Sequence, residues 1–358
     1  MIDRLLRYVA TPSVSREEGP LADLIAGELE RAGLSVRRAG RNLWCEVGDT
    51  PRPRLLLNSH IDTVPPGRGW NHDPHKPQVV DVWISGLGAN DAKGCVTAMI
   101  EAVLNTLTRL GRGERLGGTV VLALTAEEET SGQGLGTIKP RLDPLDAALV
   151  GEPTGLVPMI AQRGLLILRG VARGRTAHPA NTPPDRAENA IVMAARDLVR
   201  LREFDWGPAH PLLGACHGNV TRIQGGIAKN VIPDACEFTL DVRTTPAESH
   251  AALTARLRGV LESEVVVYSD RLVPVETSPN ADIVAAIRRA RPGASPAGSR
   301  TMSDMVYLTG TPAVKIGPGE SARSHAPNEY ITTDELADGA RTYERIIWEY
   351  CRSVKSHD

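Results

Sequence analysis

The chain has 358 residues, more than a single compact core usually takes, and 41% of them are hydrophobic, which is ordinary for globular domains. No apolar run is long enough to span a membrane, and the 41 basic and 43 acidic residues form no long block of one sign, which argues against a nucleic-acid surface. The five scattered cysteines lack Cys-x-x-Cys spacing and the first residues predict an amphipathic helix, so we expect a cytoplasmic protein without disulfides.

The first part of the chain alternates between helix and strand patterns. Helices are predicted near 3–10 and 20–33, over 92–110 and near 134–139, and strands over 34–39, 43–47, 54–60, 119–125 and 147–150. This alternation is typical of an α/β fold, an open sheet with helices on both faces. In such sheets, ligands bind beyond the carboxyl ends of the strands.

The middle of the chain follows a different order. A strand at 164–172, a helix at 186–202, strands at 217–224 and 235–242, a helix at 251–262 and a strand at 265–268 predict a small α+β unit of the ferredoxin-like kind. Afterwards, helices at 281–291 and 335–350 flank a strand at 313–316. We therefore expect a discontinuous catalytic domain, residues 1–163 and 277–358, and an inserted domain, residues 164–276.

Three successive glutamates, Glu127, Glu128 and Glu129, close the apolar strand predicted at 119–125. Such carboxylates repel one another unless cations lie among them. An isolated acidic run is usually a solvated surface, but candidate ligands for a hard metal follow other strand ends and turns in this chain: His60, Asp91, Glu152 and His325. Carboxylates and imidazoles without thiolates suit a catalytic zinc or a similar divalent cation.

Residues two apart in an extended segment face the same way, so His60 and Asp62 can address one site, the histidine as a ligand and the aspartate orienting it or the neighbouring base. Asp91 lies in a turn where a helix is predicted to begin. It can be an ordinary N-cap, or its two oxygens can bridge two metals about 3.5–4 Å apart. Glu128 and Glu152 can then each complete a metal site, with His325 as a further ligand.

Seven short motifs occur in an order that resembles the di-zinc metallohydrolases, which include acetylornithine deacetylase, succinyl-diaminopimelate desuccinylase, aminoacylase and glutamate carboxypeptidase. They are Ser-His-Ile-Asp-Thr-Val-Pro at 59–65, Gly-Ala-Asn-Asp-Ala-Lys-Gly at 88–94, Thr-Ala-Glu-Glu-Glu at 125–129, Gly-Glu-Pro-Thr at 151–154, Gly-Arg-Thr-Ala-His-Pro at 174–179, Asn-Val-Ile-Pro at 230–233 with Asp-Val-Arg at 241–243, and Ser-His-Ala-Pro-Asn-Glu at 324–329. Each motif alone is weak, but the ordered set is specific. The chain departs from the family pattern at three pocket positions, Leu87, His75 and the Thr301-Met302 pair, and none of these is a ligand.

The resemblance implies a role for each site residue. One zinc would be held by His60, Asp91 and Glu152, and the other by Asp91, Glu128 and His325, with Co²⁺ or Mn²⁺ as substitutes. Glu127 would be the general base, and Asp62 would lie behind the site.

The resemblance also implies functions for the inserted domain. His178 is similar to a histidine that stabilises the oxyanion in a partner subunit's site, so a homodimer through residues 164–276 is expected. Asn230 and Arg243 match positions that bind the substrate's carboxylate. A salt bridge within the sheet is the alternative for Arg243.

The implied activity is zinc-dependent removal of an acyl group, here an acetyl group, from an N-acyl-L-amino acid. Residues 314–325 and 301–304 resemble the acetylornithine deacetylase branch, so N-acetyl-L-ornithine in arginine biosynthesis is the first expectation. Open alternatives are a succinyl-diaminopimelate desuccinylase, an acetylcitrulline or acyl-lysine deacylase, a dipeptidase, and a zinc-bound binding protein without activity. Asp304, Glu320 and Glu329 are candidate partners for an ornithine amine, whereas Lys315 and Arg323 would favour a neutral or acidic side chain.

Overall fold

A computed structural model describes residues 1–130 and 134–353. Eight α-helices are present in these ranges: α1 (Ile2–Val9), α2 (Gly19–Arg31), α3 (Lys93–Gly111), α4 (Gly134–Leu142), α5 (Ala190–Glu203), α6 (His250–Val260), α7 (Asp282–Ala290) and α8 (Thr333–Ser353). Short 3-10 helices lie at Pro179–Asn181, Asp304–Leu308 and Ser321–Arg323.

The same ranges contain sixteen strands. They are β1 (Arg37–Ala39), β2 (Asn42–Gly48), β3 (Arg54–His60), β4 (Gln78–Val80), β5 (Trp83–Ser85), β6 (Thr119–Thr125), β7 (Ala147–Val150), β8 (Met159–Gln162), β9 (Gly164–Arg173), β10 (His217–Gly225), β11 (Ala235–Thr244), β12 (Glu264–Leu272), β13 (Val275–Glu276), β14 (Ala297–Ser299), β15 (Ala313–Lys315) and β16 (Tyr330–Thr332). The sequence patterns did not predict the short strands β4, β5, β8, β13, β14 and β16, which are two to four residues long and carry little periodicity.

The chain divides into two compact units. The first contains Met1–Ile160, Thr277–Ala297 and the chain from Ser303 onward, and the second contains Ala161–Glu276 with Gly298–Met302. The expected boundaries were residues 163/164 and 276/277.

The first unit is built on a mixed open sheet in the order β1-β2-β6-β3-β7-β15-β8, whose last strand pairs with β15 through Met159. β3 is parallel to both β6 and β7, and β15 is parallel to β7, whereas β2 is antiparallel to β6. All seven residues of β6 are buried. Since alternate strand residues face opposite sides, the sheet must be covered on both faces, and the predicted α/β fold is confirmed.

One face of this sheet packs into a large apolar core. Leu55 and Leu57 of β3 belong to that core together with buried residues of α1, α2, α3, α7 and α8. The intervening Leu56 is also buried, on the other face of the strand. β3 is therefore buried on both faces, which gives the end of the strand a defined position.

The second unit is an antiparallel sheet in the order β10-β11-β9-β12, and α5 and α6 contribute to its own core. Its element order is β-α-β-β-α-β, as the sequence predicted. Among the described helices, none combines the length and the apolar composition that crossing a membrane requires.

Candidate active site

The site forms where the parallel strands β3, β6 and β7 end. His60 is the last residue of β3 and pairs in register with Thr125, the last residue of β6, while Asn58 pairs with Val150 at the end of β7. The residues that follow these strands therefore emerge at one edge of the sheet. Glu128, Glu129 and Glu152 reach the same edge as His60 for this reason.

His60, Asp91 and Glu152 form the first group of candidate metal ligands. One ligand atom from each lies within 4.8 Å of the others, and all three residues are buried. His60 Nε2 is 3.2 Å from Asp91 Oδ1 and 4.0 Å from Glu152 Oε1. Burial raises the pKa of Glu152 to about 7, because its charged form is separated from water. A bound cation would favour the ionised carboxylate.

Asp91, Glu129 and His325 form the second group. His325 Nε2 is 2.8 Å from Glu129 Oε1 and 3.7 Å from Asp91 Oδ2. The two groups thus share Asp91, with Oδ1 facing the first and Oδ2 facing the second. Glu129 is the glutamate grouped with Asp91 and His325, and Glu128, the expected ligand, is not part of this group.

Glu128 lies beside both groups and forms a third candidate group with His60 and Glu129, since one ligand atom from each lies within 4.8 Å of the others. The residue is half-buried. Burial, followed by the nearby Glu152 carboxylate, raises the pKa of Glu128 well above its ordinary value. A carboxyl group with a raised pKa beside metal ligands is a candidate for proton transfer.

Glu127, expected to be the general base, points elsewhere. Its Oε1 contacts Arg41 Nη2, its Oε2 lies 3.7 Å from Arg16 Nε, and all three side chains line a surface cavity of about 660 Å³. Glu127 has φ +60°, so the chain turns there and ends the strand alternation. Glu127 therefore points away from the ligand groups, and Glu128 and Glu129 are the two glutamates of this run that lie beside His60.

Asp62 holds the site from behind. Its carboxylate lies 3.4 Å from His60 Nδ1 and accepts the Ser15 hydroxyl at 2.7 Å. It also accepts the backbone N–H groups of Glu128 and Glu129, each at 3.1 Å. Burial alone would raise the pKa of Asp62, but these bonds, that of His60 foremost, lower it, so the group stays ionised.

The turn that carries Asp91 is held by Glu329, one of the candidate partners of an ornithine amine. The buried Glu329 carboxylate accepts backbone N–H groups from Gly88, Asn90 and Asp91 at 3.2, 2.9 and 2.7 Å. Burial raises the pKa of Glu329 to about 7. Three backbone bonds indicate a structural function, and no sequence periodicity could have revealed it.

Two of the other pocket candidates, Asp304 and Arg323, have side-chain partners, and Glu320 is exposed. Asp304 is buried, accepts the Thr125 hydroxyl at 2.9 Å, and has its pKa raised to about 6 by burial. Arg323 forms two bonds to Glu335, at 2.9 and 3.0 Å.

The three remaining site residues lie in the second unit. His178 is exposed, and its Nδ1 accepts the Ala180 N–H at 3.2 Å. Asn230 is exposed in the segment before β11. Arg243 on β11 donates from Nε and Nη2 to Asp241 at 2.8 and 3.2 Å, which is the salt bridge within the sheet named above as the alternative.

The donor atoms of both groups fit divalent cations. They are carboxylate oxygens and imidazole nitrogens, a combination that suits zinc and similar metals. Several carboxyl groups lie within a few ångströms of one another at a buried edge, and cations would relieve their repulsion.

A family model described as Peptidase family M20/M25/M40 matches residues 56–349. The chain belongs to this family. Members are metal-dependent amide hydrolases, and the metal-dependent hydrolase expected from the sequence is confirmed.

Curated relatives match nearly the whole chain. A succinyl-diaminopimelate desuccinylase of Methylorubrum populi is 32% identical over 96% of this chain and 97% of the relative. An acetylornithine deacetylase of Myxococcus xanthus is 30% identical over 97% of this chain and 96% of the relative. The two names differ in the acyl group that is removed, so the family fixes the reaction class and leaves the substrate open.

Solved structures share the fold. Aminopeptidase PepT from Bacillus cereus has a TM-score of 0.80 and 22% identity, covering 98% of this chain and 97% of that chain. The Bacillus subtilis YXEP protein, described as a dinuclear metal binding peptidase from the M20 family, has a TM-score of 0.77 and 18% identity, covering 99% and 98%. The predicted fold class, a metallohydrolase sheet with an inserted smaller domain, is confirmed.

Proposed function

We propose that this M20 family member removes the acyl group from an N-acyl-L-amino acid, using two divalent cations held at the strand-end site. The observation that carries this proposal is the sharing of Asp91 between two ligand groups, with the carboxyl group of Glu128 beside them. Zinc is our first choice of metal, with Co²⁺ and Mn²⁺ as substitutes.

Our assignment of ligands follows the observed groups. His60, Asp91 and Glu152 would hold one cation, and Asp91, Glu129 and His325 the other. When bound, such cations polarise the scissile carbonyl and lower the pKa of the attacking water.

Glu128 is the proposed general base, since it is the remaining carboxyl group at the site and its pKa is raised. It accepts a proton from the attacking water and delivers it to the departing amine. Asp62 orients His60 through Nδ1 and holds the backbone of Glu128, so ligand and base keep a fixed relation.

For the substrate, we propose N-acetyl-L-ornithine first and N-succinyl-diaminopimelate second, supported by the names of the two relatives and by the motifs at 301–304 and 314–325. Arg243 and Asn230 are the proposed partners of the substrate α-carboxylate. Arg243 donates hydrogen bonds from Nε and Nη2 to the Asp241 carboxylate. Among residues 1–130 and 134–353, its Nη1 forms no hydrogen bond, so a substrate oxygen can bind there without breaking the pair.

A hydrolysis assay tests the proposed function. Metal-free protein reloaded with Zn²⁺, Co²⁺ or Mn²⁺ is given N-acetyl-L-ornithine, N-succinyl-LL-diaminopimelate, N-acetylcitrulline, an acyl-lysine and several dipeptides. We expect release of the free amine from an acyl-amino acid, and none from the Glu128→Gln control beyond a low residual rate. Hydrolysis of dipeptides alone would replace the deacylase by a dipeptidase.

We also propose a homodimer through the inserted domain, in which His178 stabilises the oxyanion of the partner's site. Its support is the exposed imidazole in the motif at 174–179. Mixed dimers of His178→Ala and Glu128→Gln protein should regain part of the activity, since one of the two sites then has both residues. No recovery in verified mixed dimers would assign His178 to its own subunit.

A further inference from the structure

The acidic turn after β6 is held by side chains along its whole backbone. Four successive N–H groups, those of residues 126–129, each donate to a side-chain oxygen from another part of the first unit. The acceptors are Asn42 for Ala126 at 2.9 Å, Glu18 for Glu127 at 3.0 Å, and Asp62 for Glu128 and Glu129 at 3.1 Å each. Asp62 is already part of the site, whereas Glu18 has no function in the mechanism above.

Glu18 is a fully buried carboxylate directly before α2. Its Oε1 accepts two backbone N–H groups, from Arg16 at 2.8 Å and from Glu127 at 3.0 Å. Its Oε2 lies 2.6 Å from Arg41 Nε, and Arg41 also contacts the Glu127 carboxylate through Nη2. A buried carboxylate is tolerated only when it is paired and hydrogen-bonded in this way.

Both residues whose N–H groups bind Glu18 have left-handed backbone conformations. Arg16 has φ +79° and Glu127 has φ +60°. For residues other than glycine this conformation is costly and persists only where the surroundings fix it. The Glu18 carboxylate binds both backbones at once, so it supplies that constraint.

We propose that Glu18 is a positioning residue for the metal site. By holding the left-handed backbone of Glu127, it directs the next two side chains, Glu128 and Glu129, toward His60 and His325. Arg41 supports the arrangement by keeping the Glu127 carboxylate on the opposite side of the turn. This inference rests on the proposed assignment of Glu129 as a metal ligand and Glu128 as the base.

The inference predicts a selective defect. Glu129 belongs to the group with Asp91 and His325, whereas Glu152 follows a different strand and does not depend on this turn. Loss of Glu18 should therefore lower the affinity for one cation and leave the affinity for the other unchanged. Residues that support metal ligands typically contribute about 10–100-fold in metal affinity.

Co²⁺ binding to metal-free protein measures this effect without any substrate. Titration calorimetry gives the two affinities, and the visible Co²⁺ spectrum reports the ligand geometry. Glu18→Gln retains the volume but turns an NH2 donor either toward the Arg41 guanidinium or toward the two backbone N–H groups, all of which are donors themselves. Glu28→Gln is the matched control, because Glu28 lies on α2 and its carboxylate also binds an arginine and a hydroxyl, Arg4 and Tyr8, away from the turn.

We expect Glu18→Gln to bind one Co²⁺ about 10–100-fold more weakly, with an altered spectrum for that ion, while the other affinity and both affinities of Glu28→Gln match the parent. Parent-like binding of both ions by Glu18→Gln would overturn the inference. An equal loss of both ions would also overturn it, because that result indicates general damage to the fold.

If Glu18→Gln does not fold, Arg41→Gln takes its place, since the Arg41 side chain is 36% exposed and its replacement is tolerated more easily. A several-fold weaker affinity for one Co²⁺ is expected, and unchanged affinities would overturn the inference. Two bound Co²⁺ ions in the parent test the proposed function itself, so the two failures are distinguishable.

Discussion

The assignment of the general base can be tested by a pair of isosteric variants. Glu128→Gln and Glu127→Gln change neighbouring residues in the same chemical way. In the first variant, the carboxyl group beside His60 and Glu129 can no longer take a proton. We expect turnover to fall by about 10²–10⁴-fold, the usual contribution of a general base, or about 2.7–5.5 kcal/mol of transition-state stabilisation.

Glu127→Gln loses its ion pairs with Arg41 and Arg16 at the surface. The side chains of Glu127, Arg41 and Arg16 are 27%, 36% and 71% exposed, and exposed pairs contribute about 0–1 kcal/mol. Even if the upper value appeared fully in catalysis, the rate would change by about fivefold. The N–H of residue 127 is retained, so its bond to Glu18 persists. The two variants should therefore differ by at least about 20-fold.

The assay is steady-state hydrolysis of the best acyl-amino acid at saturating metal, with metal content measured on the same samples. Equal metal content shows that a loss of rate is not a loss of cation. A large loss in Glu127→Gln with near-normal turnover in Glu128→Gln would refute the reasoning and restore the role expected from the sequence.

Three further outcomes are expected. Glu329→Ala removes the acceptor of three backbone N–H groups. In urea titrations, the free energy of unfolding of the metal-free protein should fall by at least about 2 kcal/mol. An unchanged urea midpoint would contradict this expectation. Asp197 is buried and accepts the N–H groups of Glu262 and Ser263. Burial by itself would raise the pKa of Asp197, but the hydrogen bonds outweigh burial and lower it. The stability that the ionised Asp197 contributes is therefore present above its unfolded pKa of about 4, and it is lost as the pH falls through the lower folded pKa. The calorimetric melting temperature of Asp197→Asn should thus lie below that of the parent at pH 7, and the gap should narrow toward pH 2; a gap independent of pH would refute this. Chelation of the metal should abolish hydrolysis. Metal at 100 times its Kd should add about 2.7 kcal/mol to the free energy of unfolding. This gain is measured as a rise in melting temperature, which a protein without the site would not show.

Periodicity in the sequence is enough to predict the fold class and the edge of the sheet where the chemistry lies. The apolar runs at 54–60 and 119–125 coincide with β3 and β6 because strands buried on both faces leave continuous hydrophobic segments. His60, Asp91, Glu152 and His325 differ in type from their neighbours and stand at strand ends or turns, and the structure brings them into two adjoining groups. Residue type and order were therefore enough to predict that these four side chains come together.

The sequence does not show which of three successive glutamates face the other candidate ligands. Glu127, Glu128 and Glu129 carry no internal pattern, and alternation fails once the chain leaves β6 through a left-handed residue. The direction of that turn is decided by contacts with Glu18 and Arg41, more than eighty positions away in the sequence. Which glutamate faces the ligands is therefore a tertiary property, because long-range hydrogen bonds to the backbone fix it and residue type does not.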